Sequence, residues 1–120
     1  VTFELIGQFQ SFYLCHCTRC QKDTGSAHAA NLFSTPSTLT WLQGKELVTT
    51  YQHPNTRHCK SFCQVCGSAL PTEADNFVVV PAGCLDSPVP INPTAKIFER
   101  SAAPWTAEIH TVKGYPELPD

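Results

Sequence analysis

Apolar and polar positions alternate at the start of the chain with the period of a β-strand. In VTFELI (1–6), Val1, Phe3 and Leu5 fall on one face of an extended segment. A second apolar segment, FYL (12–14), runs directly into a group of three cysteines. The pattern predicts two early strands, the second of which delivers its end to the cysteines.

Later segments have similar strand-like patterning. They are 28–33, 47–52, 77–80 and the AKIFER segment, 95–100. STPST (34–38) differs, because Pro36 follows hydroxyl residues that can cap one short helical turn, which would end near Trp41 and Gly44. Ten prolines also favour irregular connections over long helices. We predict an all-β domain with about six or seven short strands and at most one or two helical turns.

Length and composition indicate one ordinary domain, residues 1–120. The chain has 120 residues, 42% of them hydrophobic, which suits one modest core. A net charge of -2 and scattered Lys and Arg argue against a nucleic-acid partner. No apolar run approaches the roughly 18 to 20 residues that span a bilayer, and no secretory leader opens the chain. We expect no membrane partner and a soluble, cytoplasmic protein.

Six of the seven cysteines form two tight clusters, which suggests metal ligation in a reducing compartment. The clusters are Cys15, Cys17, Cys20 and Cys59, Cys63, Cys66, whereas Cys84 stands alone. The spacing C-x-x-C occurs in both and lets one turn bring two sulfurs to one ion, with Gly67 supplying backbone freedom after the second. One shared four-ligand site would leave two cysteines unexplained. We therefore predict one ion for each cluster.

The first cluster offers three thiolates, one fewer than a closed tetrahedral zinc site. Zinc held by Cys15, Cys17 and Cys20 would keep a fourth position for water or substrate, as catalytic sites do. Three thiolates leave the site with a charge of about -1, so it suits a sulfur ligand or a small carbonyl better than strong hydrolysis. A redox switch is a further possibility, but it needs a low-pKa thiol pair without metal.

Polar residues near the first cluster are candidates for substrate contact. Arg19 and Lys22 can meet the carboxylates of an acidic peptide, or they are ordinary surface charges. His28 can serve as an acid, a base or an orienting group, and Ser26 can offer a hydroxyl or backbone N–H to the substrate. A satisfied histidine and a turn serine are the structural alternatives. His16 is a possible fourth ligand, but strand geometry turns it away.

Aromatic residues provide possible pocket walls. Phe33, Trp41 and Trp105 are the candidates, with a place in the core as the alternative.

Four motifs together resemble the GFA family, the glutathione-dependent formaldehyde-activating enzymes and relatives such as centromere protein V. These are CHCTRCQKDTGSA, W-x-x-G (41–44), FCQVCGSALP and KIFERSAAPW. The resemblance implies a β-tent fold of small twisted antiparallel sheets around two zinc sites. It implies a catalytic zinc on Cys15, Cys17 and Cys20, and a structural zinc with Cys63 and Cys66 as half of its ligands. The family's other half, an N-terminal C-x-C before the first strand, is not found in this sequence.

Two explanations of that missing pair stay open. The absence of methionine favours upstream residues that are not included. The other explanation is that this protein has lost the N-terminal half of the structural site. In that case Cys59 is a third ligand, with His58 or Cys84 as the fourth. If Cys59 is not a ligand, we expect it to be a buried, inert thiol. The sequence also has Lys96 where the family usually has histidine, and His28 where an aromatic is common.

The first functional hypothesis is a zinc-dependent enzyme of the carbon–sulfur lyase type that acts on a thiol/aldehyde adduct. The resemblance implies the reaction of S-(hydroxymethyl)glutathione synthase, the reversible joining of glutathione to formaldehyde. The alternative is a non-catalytic zinc domain for partner binding or stability. A protein side chain in the fourth position of the first cluster would favour that alternative.

Overall fold

The computed structural model describes residues 1–119, which form a β protein with one seven-residue α-helix, α1 (Thr18–Thr24). The strands are β1 (Thr2–Cys15), β2 (Ala29–Gln43), β3 (Val48–Gln52), β4 (Cys59–Cys63), β5 (Ala69–Leu70), β6 (Thr72–Glu73), β7 (Val78–Pro81) and β8 (Ala95–Ile97). Short 3-10 turns occupy Lys45–Leu47, Ala82–Cys84, Glu99–Ser101, Pro104–Thr106 and Ile109–Thr111. The all-β prediction is confirmed. Within the described residues, no helix has the length and hydropathy that a bilayer crossing requires.

The strands form two sheets. The larger has the order β6-β7-β2-β1-β8, and the smaller has the order β3-β4-β5. β1 and β2 pair antiparallel from Thr2↔Gln43 to Cys15↔Ala29, so they make one long ribbon. β8 pairs in parallel with the end of β1. Among the strand pairs of residues 1–119, this is the one exception to the antiparallel arrangement that the sequence predicts.

The prediction of a helical turn at 34–38 is wrong, because this segment lies inside β2. The hydroxyl residues bond across the ribbon and do not cap a turn. Ser34 Oγ donates to the carbonyl of Gln8 at 2.8 Å, and the backbone N–H of Thr35 donates to Gln10 Oε1 at 2.7 Å. The two predicted early strands are likewise one continuous strand, because β2 pairs with β1 along its length.

Gly7 lies where the β1–β2 ribbon changes register. Gly7 pairs with Ser37, but Phe9 pairs with Ser34, so β2 carries one extra residue next to Pro36. A Cβ at Gly7 would lie 2.7 Å from the Cβ of Ser37 and 2.9 Å from the carbonyl oxygen of Pro36, and its φ is +152°. Glycine therefore lets the two strands approach at the bulge that accommodates the proline.

The two faces of the larger sheet have different roles. Phe12 and Leu32 point to one face and pack with Val80 in the main hydrophobic core. Their neighbours Cys15 and Ala29, which are direct partners across β1 and β2, belong to a separate buried cluster. Strand alternation thus separates the core from the cysteines.

Candidate metal centre and its cavities

The end of β1 and the start of α1 bring the first three cysteines together. Cys15 is the last residue of β1, Cys17 caps the N-terminus of α1, and Cys20 lies in its first turn. Their sulfur atoms all lie within 4.8 Å of one another. A tetrahedral zinc site with 2.3 Å bonds has sulfurs about 3.8 Å apart, so small side-chain adjustments would bring the thiols to that spacing.

Local backbone contacts explain how this short segment folds. Cys17 Sγ accepts a hydrogen bond from the backbone N–H of Cys20 at 3.3 Å, which is the geometry expected of a C-x-x-C turn. α1 ends at Gly25, whose φ is 66° and whose N–H donates to the carbonyl of Gln21 at 2.8 Å. A sulfur-capped start and a glycine end therefore delimit α1.

The loop between β1 and α1 is also held by the C-terminal part of the chain. The backbone N–H of His16 donates to the carbonyl of Ile97 at 2.9 Å. Gln21 Nε2 donates to the carbonyls of His16 at 2.8 Å and Ser101 at 2.9 Å. β8 and the turn after it therefore support the cluster from outside.

The donor set suits a divalent cation. Burial raises the pKa of Cys15, and burial together with the two neighbouring thiols raises the pKa of Cys20. Burial opposes ionisation of Cys17, but hydrogen bonds from the backbone of Cys20, the neighbouring thiols and the backbone of Arg19 lower its pKa overall. Three crowded thiolates repel one another, and a bound cation is what would stabilise all three together.

Two histidines pack beside the cluster without joining the group of sulfur ligands. The rings of His16 and His28 lie 5.1 Å apart, and His16 is only 6% exposed. Both ring nitrogens of His16 and Nδ1 of His28 are buried without a hydrogen-bond partner among residues 1–119. Burial, His16 and then Lys96 lower the pKa of His28. The lowered pKa favours the neutral form of this imidazole.

A cavity of about 950 Å³ borders the cluster and separates the two sheets. Cys20 and Ala29 belong both to the cysteine cluster and to the cavity wall. Further along the wall, the rings of Phe33 and Phe77 lie 5.7 Å apart, so the prediction of Phe33 as a pocket wall is consistent with its position. The cavity therefore connects the candidate metal centre with an aromatic surface.

A polar cluster of Asp23, His58 and Lys60 lines this cavity on its other side. Lys60 Nζ lies 3.2 Å from Asp23 Oδ1 and donates to the backbone carbonyl of Asp23 at 2.6 Å, and His58 Nε2 lies 3.1 Å from Asp23 Oδ2. These contacts join α1 to β4. No sequence signal pointed to them, because 37 residues separate Asp23 from Lys60.

A second cavity, of about 430 Å³, lies on the other side of this polar cluster. Arg19 and Lys22 line it together with Tyr51 and His53, and Asp23, His58 and Lys60 are common to both cavities. The two predicted cations are thus together, but they face a different cavity from the one that Cys20 borders.

Four other residues singled out in the sequence, Ser26, His28, Trp41 and Trp105, lie outside the two cavities. Ser26 is exposed, and its N–H donates to Thr24 Oγ1 at 3.2 Å, as in a turn. Trp41 packs edge-on against Phe3 with ring centroids 5.8 Å apart, and Trp105 is 62% exposed. His28 also lines neither cavity.

Cys63 and Cys66 lie at the end of β4 in a tight turn. The N–H of Gly67 donates to the carbonyl of Cys63 at 2.7 Å, and Gly67 has a φ of 76°. Cys63 is buried and Cys66 is exposed. Hydrogen bonds from the side chain and backbone of Ser68, then from Cys63, lower the pKa of Cys66 to about 7, and the amino group of Val1 adds to this effect.

Cys59 lies at the opposite end of β4 from Cys63. The two residues are four positions apart in an extended strand, so their Cα atoms lie about 13 Å apart. The Cys59 thiol donates to Gln52 Oε1 at 2.6 Å, and His58 contacts Asp23. The idea that Cys59 and His58 complete a site with Cys63 is therefore not supported by the geometry.

The fold and site define a small β protein with a cluster of three thiols that could hold a metal ion, beside a cavity. The family model described as glutathione-dependent formaldehyde-activating enzyme matches residues 1–101, so the chain belongs to that family. A comparison with curated proteins gave no match.

Proposed function

We propose that this protein is a zinc-dependent enzyme of the carbon–sulfur lyase type that joins a thiol to an aldehyde and reverses that reaction. The observation that carries the proposal is the group of three thiols, Cys15, Cys17 and Cys20, of which Cys20 lines a cavity. Membership of the family makes glutathione and formaldehyde the first pair to test.

The reaction needs no external oxidant or reductant. A bond forms between the thiol sulfur and the carbonyl carbon, the carbonyl π bond breaks, and the thiol proton ends on the oxygen. Cys15, Cys17 and Cys20 would hold the zinc. Zinc bound in this way would supply a coordination position for a thiolate or a carbonyl oxygen.

The residues of the chain itself would bind and orient the substrate. Arg19 and Lys22 would bind the carboxylates of an acidic peptide thiol in the second cavity, where their shared position supports this role. The contact of His28 with His16 supports an orienting role for His28 next to the cluster. Ser26 would act through its exposed hydroxyl, since its N–H already donates to Thr24 Oγ1.

Cys63 and Cys66 would form half of a second, structural zinc site. Their turn has the geometry of a C-x-x-C ligand pair, and no third His, Cys, Asp or Glu ligand joins them within residues 1–119. Their role in the proposal is stability, because they lie away from the cavity that borders Cys20.

Matched cysteine variants test the proposal. We expect Cys17→Ala to lose the metal of the first cluster and the formation of S-hydroxymethylglutathione, measured by metal analysis and NMR exchange. Cys84→Ala, outside the cluster and both cavities, should retain both. A Cys17→Ala protein with metal at this cluster and activity would disprove the mechanism. A metal-loaded wild type without turnover of any thiol and aldehyde would favour the non-catalytic zinc domain.

A further inference from the structure

The cavity beside Cys20 is much larger than a one-carbon aldehyde requires. Its volume of about 950 Å³ falls at the upper end of pockets for drug-sized molecules, roughly 300 to 1,000 Å³. Formaldehyde has two heavy atoms and would fill a small part of it. The remaining space is available to another part of the substrate.

The side of the wall formed by β2 and β7 is mostly apolar, with Asn31 as its polar residue, whereas Asp23 and Thr24 line the side next to Cys20. Ala29 packs against Cys15 and Cys20, and the cavity continues from there to Phe33, Val79 and Phe77. Phe77 is 40% exposed despite its size, and its ring is tilted by 48° to that of Phe33. Two aromatic side chains in this arrangement suit the binding of a ring or a branched alkyl group.

The charges argue against an acidic peptide in this cavity. Lys60 is already paired with Asp23. The other charged wall residues are two carboxylates, Glu73 and Asp75, and one cation, Arg57, so they carry a net negative charge. In the second cavity, Arg19 and Lys22 form no ion pair within the described residues. The carboxylates of an acidic peptide thiol therefore favour the second cavity. The larger cavity is then available to the aldehyde part of the adduct.

We infer that the aldehyde of this protein carries an apolar group of about the size of a benzene ring, which binds in the larger cavity against Phe33 and Phe77. The inference rests on the proposed function. In the adduct, the carbonyl carbon bonds to the thiol sulfur, the proton resides on the oxygen, and the apolar group stays on that carbon. The peptide then extends to Arg19 and Lys22, on the other side of the Asp23 cluster.

Stable thioethers test this inference without turnover. S-methylglutathione stands for the one-carbon adduct and S-benzylglutathione for the aromatic one, and both are titrated calorimetrically into the zinc-loaded protein. We expect S-benzylglutathione to bind about tenfold more tightly, because only its ring buries apolar surface in the larger cavity. Phe77→Ala should reduce that preference to about twofold, whereas Trp105→Ala, an exposed aromatic outside both cavities, should preserve it.

A second variant guards against misfolding of Phe77→Ala. Ala69→Phe places a ring into the same cavity from β5 and should also remove the preference. Equal affinities of the two thioethers, or no binding of either, would overturn the inference. A parallel assay of glutathione with formaldehyde reports on the proposed function separately. Turnover with equal affinities removes only the inference, whereas a tenfold preference without turnover of any aldehyde removes the proposed function and leaves only a binding site for an apolar group.

Discussion

Lys60 Nζ donates a 2.6 Å hydrogen bond to the backbone carbonyl of Asp23 and lies 3.2 Å from its carboxylate. This contact holds α1, which carries Cys20, against β4. Helices shorter than about 12 to 15 residues are marginal in water, so the seven residues of α1 depend on such tertiary contacts. The position of Cys20, one of the three clustered thiols, is thus linked to a residue of the smaller sheet.

We therefore expect Asp23→Ala to destabilise the protein and to weaken metal binding. The variant removes an ion pair with Lys60 and a polar contact with His58, both partly buried, which should lower the free energy of unfolding by about 1 to 2 kcal/mol. Urea denaturation of the metal-free protein and a competitive zinc titration measure the two effects. Arg19→Ala, on the same helix but exposed, should change stability by less than about 0.5 kcal/mol. Equal stability of the two variants would contradict this role of Asp23.

Gly7→Ala should destabilise the β1–β2 ribbon. The new Cβ would lie 2.7 Å from the Cβ of Ser37, so the strands must separate at the bulge. We expect a loss of about 1 to 3 kcal/mol in the free energy of unfolding, measured by denaturant titration. Gly83→Ala is the matched control, because nothing lies within 4 Å of its added Cβ. A loss at Gly83 as large as that at Gly7 would show that the close approach is not the cause.

The imidazole of His28 should titrate below its ordinary pKa of 6.5, because burial, His16 and Lys96 disfavour its charged form. NMR of the metal-free protein measures this pKa directly. Lys96→Met should raise it, whereas Lys45→Met should not, because the charge of Lys96, and not that of Lys45, contributes to the lowered pKa. Between the lowered pKa and 6.5 the unfolded chain binds more protons, so this group reduces stability as the pH falls through that window. A pKa at or above 6.5 would contradict the buried contact with His16.

Cys66 should be the most reactive thiol of the metal-free protein toward iodoacetamide. Its pKa of about 7 makes about half of it thiolate at pH 7, and it is exposed. Burial raises the pKa of Cys84 to about 11, so that thiol should stay unmodified in the folded protein. Ser68→Ala removes the hydroxyl next to Cys66 and should slow its alkylation, as followed by mass spectrometry. An unchanged rate would exclude the serine as the cause of the low pKa.

Metal analysis of residues 1–120 should give about one tightly bound zinc per chain. The pair Cys63 and Cys66 offers two thiolates, and no third such ligand joins them among residues 1–119. Cys63→Ser combined with Cys66→Ser should therefore leave the count unchanged. Two tightly bound ions in the wild type would mean that other groups complete the second site.

Local spacing made part of this protein predictable. Cys15, Cys17 and Cys20 lie within six residues, so one strand end and one helical turn suffice to bring their sulfurs together. The alternation in VTFELI correctly indicated a strand, and Gly67 has the positive φ expected after C-x-x-C. These features depend on short-range backbone geometry, which a sequence pattern reports directly.

The misses have a common physical origin in long-range pairing. STPST looks like a helical turn because its hydroxyls can cap locally, but in the folded chain Ser34 and Thr35 bond to β1. The contact of His16 with His28 likewise depends on how the loop after β1 packs. Each outcome was decided by partners that are distant in sequence.

The sequence by itself determined the cluster of Cys15, Cys17 and Cys20 and the all-β class, because both follow from residue types and near-neighbour spacing. Only the tertiary structure decided that Arg19 and Cys20, adjacent in the chain, serve different cavities. Successive residues of a helix point about 100° apart, and the Asp23–Lys60 contact sets which neighbour each side of α1 faces. The division of the site into a cationic and an aromatic cavity is therefore a consequence of packing.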